Sequence, residues 1–206
     1  AGSRLRVAVL ASGAGTNLQA VLDRVHGRDG VSVVAVASDK PDAPALERAR
    51  VAGVAAEVFP AEGFDSRAAR DHAMAGWLAG QDVELVVLAG YMRLLSADFL
   101  ARFERRVINV HPSLLPAFPG LRPIEEALEY GVKVFGVTVH FVDEAADTGP
   151  VILQRAIEID DPGSADEVLE RLHGLEHELL PEAVRLIAAG AVGFDPANPR
   201  RVVIER

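Results

Sequence analysis

The chain of 206 residues contains no cysteine. That excludes disulfides, thiolate metal sites and cysteine nucleophiles together, and it fits a reducing cytoplasm, the expected compartment. A basic excess is missing as well: 21 Lys and Arg stand against 30 Asp and Glu, a formal charge of −9. No general basic field exists to hold nucleic acid, so none is expected as a partner. Long hydrophobic runs are also lacking. The longest, such as residues 83–89, are strand-sized and too short to span a bilayer, so no membrane partner is expected. No basic, apolar leader opens the sequence, which predicts no secretion. The initial Ala1-Gly2-Ser3 lacks a Met and reads as a processing remnant.

What is present is ordinary for a globular protein: 50% hydrophobic, 25% charged, 18 Gly and 12 Pro. The length suits about one to two domains. A fold of this size buries about 70% of its unfolded surface, enough for a core without staples. Strand-like runs at 5–11, 31–38, 55–59 and 83–89 alternate with helix patterns at 17–28, 44–52 and 66–79. The runs are nearly continuous in apolar residues, as in a parallel sheet buried on both faces. Strand–helix alternation of this kind predicts a doubly wound, Rossmann-like α/β sheet. Further on, residues 107–110 read as a short strand before a Pro/Gly-rich segment, 111–123. Residues 134–142 and 151–159 read as an antiparallel pair across a tight polar loop. Ser164 and Glu167 form a capping-box signature for a long late helix to about residue 189, which Pro181 is expected to kink or split. The tail, with Pro196 and Pro199, is weakly specified. Without repeats or a linker, residues 1–206 are expected to form a single domain, with halves at about 1–100 and 101–206.

Three segments could carry chemistry. Ser12-Gly13-Ala14-Gly15-Thr16-Asn17 joins the first strand to the first helix. Its glycines permit a tight turn, and the helix N-terminus beyond offers N–H groups to an anion. Leu18 occupies the place of a third fingerprint glycine and no Lys follows, so neither a dinucleotide nor a Walker motif is present. The segment reads equally as a phosphate cradle or as a plain turn capped by Thr16 or Asn17. Asn109 and His111 lie two apart and so project from one face of an extended strand. An amide donor beside an imidazole suits a developing oxyanion; on this feature alone the commoner case is an Asn and a His that close a strand. Asp147, in the loop 143–150, would orient His111 if the two met, and is otherwise part of an acidic connection. His173 and His177, one helical turn apart, lack a third ligand, so no metal site is expected. Arg67 and Arg93 read as isolated, solvated cations.

Together the segments VLASGAGTNLQA, ERARVAGV, LAGYMRLLS, INVHPSLLPAFPGL and GVTVHFVDEAADTGPVILQ resemble the glycinamide ribonucleotide formyltransferase family, the folate-dependent enzymes of purine synthesis. The resemblance runs from about residue 7 to 155, with a weaker match from Leu175 to Pro181. It implies a single Rossmann-like formyltransferase domain that moves a formyl group from the co-substrate 10-formyltetrahydrofolate to the amine of 5-phosphoribosylglycinamide (glycinamide ribonucleotide). No metal or covalent intermediate is required. It places the catalytic groups at Asn109, His111 and Asp147. Phosphate and ribose contacts fall at Gly13, Gly15, Thr16, Asn17, Leu18, His173 and Glu176. Folate contacts fall at Arg67, Met92, Arg93, Leu94, Leu95, Asn109, His140, Val142, Asp143 and Asp147. On this reading the first half binds phosphate and the second carries catalysis and the pterin pocket, and a homodimer is the expected assembly.

The chain departs from the family at a few places. His173 stands where a Gln is common, Ala14 lacks an amide that some members place in the loop, and Arg122 and Ile124 replace histidines after the PGL turn. Three other readings share parts of the pattern. A formyltetrahydrofolate hydrolase usually carries an added N-terminal domain, for which a first strand near residue 4 leaves no room. A methionyl-tRNA formyltransferase adds a C-terminal domain of about a hundred residues and a basic tRNA surface. A noncatalytic nucleotide-phosphate binding module would use the SGAGTN loop and have no need of Asn109, His111 and Asp147 together.

Overall fold

The structure, a computed structural model, describes residues 4–205; Ala1-Gly2-Ser3 lies outside them. The chain divides into two compact units, Ala1–Asn109 and Val110–Arg206. The first contains β1 (Leu5–Leu10), α1 (Thr16–Arg24), β2 (Val31–Ser38), α2 (Pro44–Val51), β3 (Ala55–Val58) and a 3-10 turn (Ala61–Gly63). It continues through α3 (Arg67–Gly80), β4 (Leu85–Leu88), α4 (Ala97–Arg102) and the start of β5 (Val107–His111). All pairings among its strands are parallel: β1 with β2 and β4, β2 with β3, and β4 with β5. Val7–Leu10 and Leu85–Val87 are wholly buried, which is why these runs carry no alternation of polar and apolar residues.

The chain leaves β1 for β2 and β3, then returns to the other side of β1 with β4. Strand order therefore reverses between β1 and β4. In open α/β sheets such a reversal opens a crevice beyond the strands' carboxyl ends, and ligands bind there. The loops that leave β1 and β4 are residues 11–15 and 89–96.

The second unit contains the end of β5, α5 (Pro123–Tyr130), β6 (Val134–Phe141), β7 (Val151–Glu158), α6 (Ala165–Ala188) and a hairpin of β8 (Val192–Asp195) and β9 (Asn198–Ile204). β6 and β7 pair antiparallel from Val134↔Glu158 to His140↔Val151, with an irregularity between Val139 and His140. In hydrogen-bond order the seven strands read β3-β2-β1-β4-β5-β6-β7, and β8-β9 form a separate ribbon. The α/β class, the mostly parallel sheet, the antiparallel strand pair and the long late helix are as the sequence predicts.

Four details differ. α1 ends at Arg24 rather than residue 28, because Gly27 and Gly30, both at positive φ, turn the chain into β2. Its N-cap is Gly15 in the left-handed region, not Thr16 or Asn17. α6 is one continuous helix with Pro181 inside it. An internal proline costs about 3 kcal/mol, and burial of Leu179, Leu180 and Val184 on the same stretch, at about 1.5–3 kcal/mol each, outweighs it. The tail is ordered as the β8–β9 hairpin, with Val192 paired to Ile204 and Phe194 to Val202.

Candidate active site

The loop after β1 is shaped by α2. Gly15 has φ +74, and a Cβ there would lie 2.8 Å from the Ala45 backbone, so glycine is required on both counts. Arg48 donates from Nε to the Ala14 carbonyl at 2.7 Å, and Ala45 N–H donates to the Gly13 carbonyl at 3.2 Å. The first turn of α1 has no side-chain cap, which leaves its amides for an anion. Gly13 is exposed, and Thr16 and Asn17 are half-buried. Leu18 is wholly buried, so of the predicted phosphate residues it can contribute only its backbone.

The segment after β4 displays a different set. Met92 and Leu94 are about 60% exposed apolar side chains, with the half-exposed Arg93 between them. They border a cleft of about 380 Å³ together with Ser66, Arg67 and Arg70. The cleft thus gathers Arg67, Met92, Arg93 and Leu94, while Leu95 is buried and does not line it. Two buried acidic groups hold the segment in shape. Asp71 accepts Arg70 Nε and Nη2 on one oxygen at 2.9 and 2.8 Å and the Ser96 N–H on the other at 2.6 Å. Asp39, just beyond β2, accepts from Ser12 Oγ at 2.6 Å and from Arg93 Nε at 2.8 Å, while Ser12 Oγ accepts the Met92 N–H at 2.9 Å. Burial raises the Asp39 pKa, but the bonds from Ser12 and Arg93 outweigh it and hold the carboxyl below its ordinary value. Asp39, Arg70 and Asp71 are missing from the sequence reading. One signal was available for Asp39: it sits at the carboxyl end of a strand beside the reversal.

In the second unit Asp147 lies between two imidazoles. Its Oδ1 is 3.6 Å from His111 Nδ1 and 3.7 Å from His140 Nε2, and its Oδ2 accepts the Gly120 N–H at 2.8 Å. His111 Nε2 lies 2.9 Å from the Phe118 carbonyl and His140 Nδ1 2.9 Å from the Phe141 carbonyl. A carbonyl only accepts, so those two nitrogens carry hydrogens. The nitrogens that face Asp147 are then the two that can gain or lose a proton. Burial pushes the His140 imidazole below its ordinary pKa, against the opposing pull of the Phe141 carbonyl and Asp147.

Local structure explains this placement. The turn after His111 is pinned to β6 and β7. Thr138, wholly buried, accepts the Leu115 N–H at 3.1 Å and donates to the Ser113 carbonyl at 2.7 Å. Gln154 donates to the Leu115 carbonyl at 2.8 Å. Gly136 makes room for Leu114, since a Cβ there would lie 2.3 Å from a Leu114 methyl. Asp147 itself has φ +57, a conformation that Asp tolerates better than most residues. Gly149 must follow closely, because a Cβ there would collide with the Phe141 carbonyl. Thr148 ties back to Asp143 at 2.6 Å.

The other predicted positions fall as follows. Asn109 is half-buried, two residues before His111 on β5. Val142 is half-buried and Asp143 exposed at the start of the Asp147 loop. On α6, Glu176 is 5% exposed and lies 3.9 Å from His173 Nε2, while His173 and His177 stack at 6.0 Å. Arg122 and Ile124 sit at the start of α5, the first exposed and the second buried. Among the described residues no group of three or more His, Cys, Asp or Glu could hold a metal ion, and no helix is long and apolar enough to cross a membrane.

Residues 5–184 match the formyl transferase family model. The chain is 41% identical over 181 residues to the phosphoribosylglycinamide formyltransferase of Bacillus subtilis (strain 168), covering 87% of this chain and 93% of that protein. It is 42% identical over 196 residues to the trifunctional purine biosynthetic protein adenosine-3 of Drosophila melanogaster, covering 94% of this chain and 14% of that protein. Among solved structures, glycinamide ribonucleotide transformylase 1 from Symbiobacterium toebii superposes with a TM-score of 0.95 at 47% identity, over 100% of this chain and 96% of that one.

Proposed function

The chain belongs to the formyl transferase family, and we propose that it is a phosphoribosylglycinamide formyltransferase of purine synthesis, working in the cytoplasm on two small molecules. The amine of glycinamide ribonucleotide attacks the formyl carbon of 10-formyltetrahydrofolate. The new C–N bond forms, a tetrahedral oxyanion builds and collapses, and the bond to the folate N10 breaks. One proton leaves the amine and one reaches N10, so the products are formylglycinamide ribonucleotide and tetrahydrofolate.

The observation that carries this reading is Asp147 poised between His111 and His140. In the proposed mechanism Asn109 and His111 stabilise the oxyanion. The His111 Nε2–H, which donates to the Phe118 carbonyl, turns to the oxyanion instead. A charged acceptor makes a bond about twice as strong as a neutral one, so the exchange is favourable. Asp147 stabilises the imidazolium through Nδ1 and relays the amine proton, directly or through one water. The uncapped start of α1, with Gly13, Gly15, Thr16 and Asn17, takes the substrate phosphate, and His173 and Glu176 serve its ribose side. Met92, Arg93 and Leu94, with Arg67 and the 142–147 loop, take the folate.

The test mixes the protein with 10-formyltetrahydrofolate and glycinamide ribonucleotide and follows tetrahydrofolate release by absorbance. Release that requires the ribonucleotide is expected. Equal release without it would make the protein a hydrolase, and no release in either mixture would leave a binding module.

A further inference from the structure

The carboxyl ends of three neighbouring strands meet at one buried hydroxyl. Ser12 follows β1, Asp39 follows β2, and Met92 and Arg93 follow β4. Ser12 is 3% exposed, bonds Asp39 at 2.6 Å and takes the Met92 N–H at 2.9 Å. The Asp39 side chain is 1% exposed, whereas that of its other partner, Arg93, is 42% exposed. A buried carboxylate with both oxygens filled by short bonds loses little by its burial. What sets this pair apart from a core ion pair is that one edge of the guanidinium is fixed while the side chain still borders the cleft. Arg93 is therefore held in one rotamer before any ligand arrives, and a preorganised group binds more tightly because less freedom is lost on binding. The same Ser12 immediately precedes Gly13 of the phosphate loop.

We propose that Asp39 is a positioning residue: with Ser12 it fixes the Arg93 guanidinium and the Met92 backbone in the geometry that receives folate, and fastens that segment to the start of the phosphate loop. The inference rests on the reading above of Met92 and Arg93 as folate contacts. Asp39 acts through Arg93, so its charge governs folate affinity and has little bearing on the chemical step.

The test is a double-mutant cycle. Asp39→Asn keeps the size and an acceptor for Ser12 but removes the charge that holds Arg93. Calorimetric titration with tetrahydrofolate is run on the parent, D39N, R93A and the double variant, with circular dichroism to check folding. Formyl-transfer kinetics are measured on the parent and D39N. D39N is expected to bind folate about tenfold more weakly, equivalent to about 1.4 kcal/mol. Its kcat and its KM for the ribonucleotide should stay within about twofold of the parent, since the reacting groups are untouched. In the R93A background D39N should add nothing, because the group it acts through is gone. Unchanged folate affinity in D39N overturns the proposal. So does an equal loss with and without Arg93, which a purely structural carboxylate would give. A parent that binds folate but does not formylate the ribonucleotide overturns the reaction assigned above, while the cycle still decides the role of Asp39. A parent that binds no folate overturns this inference as well.

Discussion

Asp39 and Asp71 in the first unit and Asp147 in the second are held by opposite means. Asp71 is wholly buried, with two guanidinium bonds on one oxygen and a 2.6 Å backbone bond on the other. Asp39 has both oxygens bonded at 2.6 and 2.8 Å. Asp147 has one short bond, to the Gly120 N–H. Its second oxygen stands 3.6 and 3.7 Å from two imidazole nitrogens, beyond direct hydrogen-bonding distance. Where a carboxylate fixes the shape of a loop, both of its oxygens accept short bonds. On the proposed mechanism Asp147 handles a proton; one of its oxygens is left without a short bond, and such contacts tighten when substrate arrives.

The comparison is broken most directly at its two extremes. Asp147→Asn keeps an oxygen for Gly120 but removes the charge, so kcat is expected to fall about 10²–10⁴-fold. On the proposed mechanism Asn109→Ala removes one oxyanion donor, and it should cost about 10²–10³ in kcat. Both variants should melt within about 2 °C of the parent, since neither leaves a buried charge unpaired. Asp71→Ala should do the reverse. It strands the Arg70 guanidinium, 3% exposed, and should cost about 3–5 kcal/mol of stability, or about 6–20 °C in melting temperature for a chain of this size. A D147N protein that melts below D71A would erase the distinction between the two kinds of carboxylate.

Acid separates the two units along the same line. Asp39 is held below the ordinary carboxyl value of 3.8. Between that value and its folded one the unfolded chain binds more protons, so its contribution to stability is intact above about pH 4 and is lost as pH falls through the folded value. His140 is held below the ordinary imidazole value of 6.5 by burial. The same sign applies: its contribution is intact above about pH 6.5 and is lost as pH falls below that toward the folded value. Melting temperature should therefore begin to fall just below pH 6.5 because of His140, and Asp39 should add to the fall only below about pH 4. His140→Asn is expected to flatten the first part of the curve and D39N the second. If D39N flattened the milder range, the assignment of the two windows would be wrong.

The first unit was more legible in the sequence, and the reasons are physical. β2 was read to both ends, residues 31–38, because a doubly buried parallel strand is an unbroken apolar run closed by turn residues. α6 is legible from Ser164, whose hydroxyl does accept the Glu167 N–H; α3 is legible from its helix pattern at 66–79, and its first position, Ser66, proves to be the cap that accepts the Ala69 N–H. α4 and α5 are not legible although Ser96 caps one and Pro123 opens the other: α4 has 6 residues, too few for helical periodicity to show, and α5 follows directly on the Pro/Gly-rich segment 111–123, which reads as loop. The β8–β9 hairpin was missed because Pro196 and Pro199 argue against strands, yet Pro196 falls in its turn. For the candidate site, a strand's alternation put Asn109 and His111 on one face, but no spacing rule could bring Asp147 to them from 36 residues away. Arg70 and Asp71 were invisible for a related reason: a buried ion pair on α3 looks in sequence like any exposed charge pair, and its partner Ser96 lies 25 residues downstream.

The smallest expected effect concerns a phenol that feels both the Asp39 and the Asp71 carboxylates. Tyr91 is 9% exposed, and its hydroxyl has no hydrogen-bond partner among the described residues. Burial pushes the phenol up to about 12, Asp71 and Asp39 add to the shift, and Arg70 and Arg93 oppose it. Asp71 and Asp39 take their bonds from Arg70, Ser96, Ser12 and Arg93, and neither accepts this proton. A buried, unpaired hydroxyl carries a desolvation cost of about 1–3 kcal/mol. Tyr91→Phe should therefore leave stability unchanged or raise it by up to about 1 kcal/mol, a melting-temperature gain of about 2–4 °C, with the folate KM unaltered. If Y91F melts more than about 4 °C below the parent, the hydroxyl does bond to one of these carboxylates and is not an unpaired group.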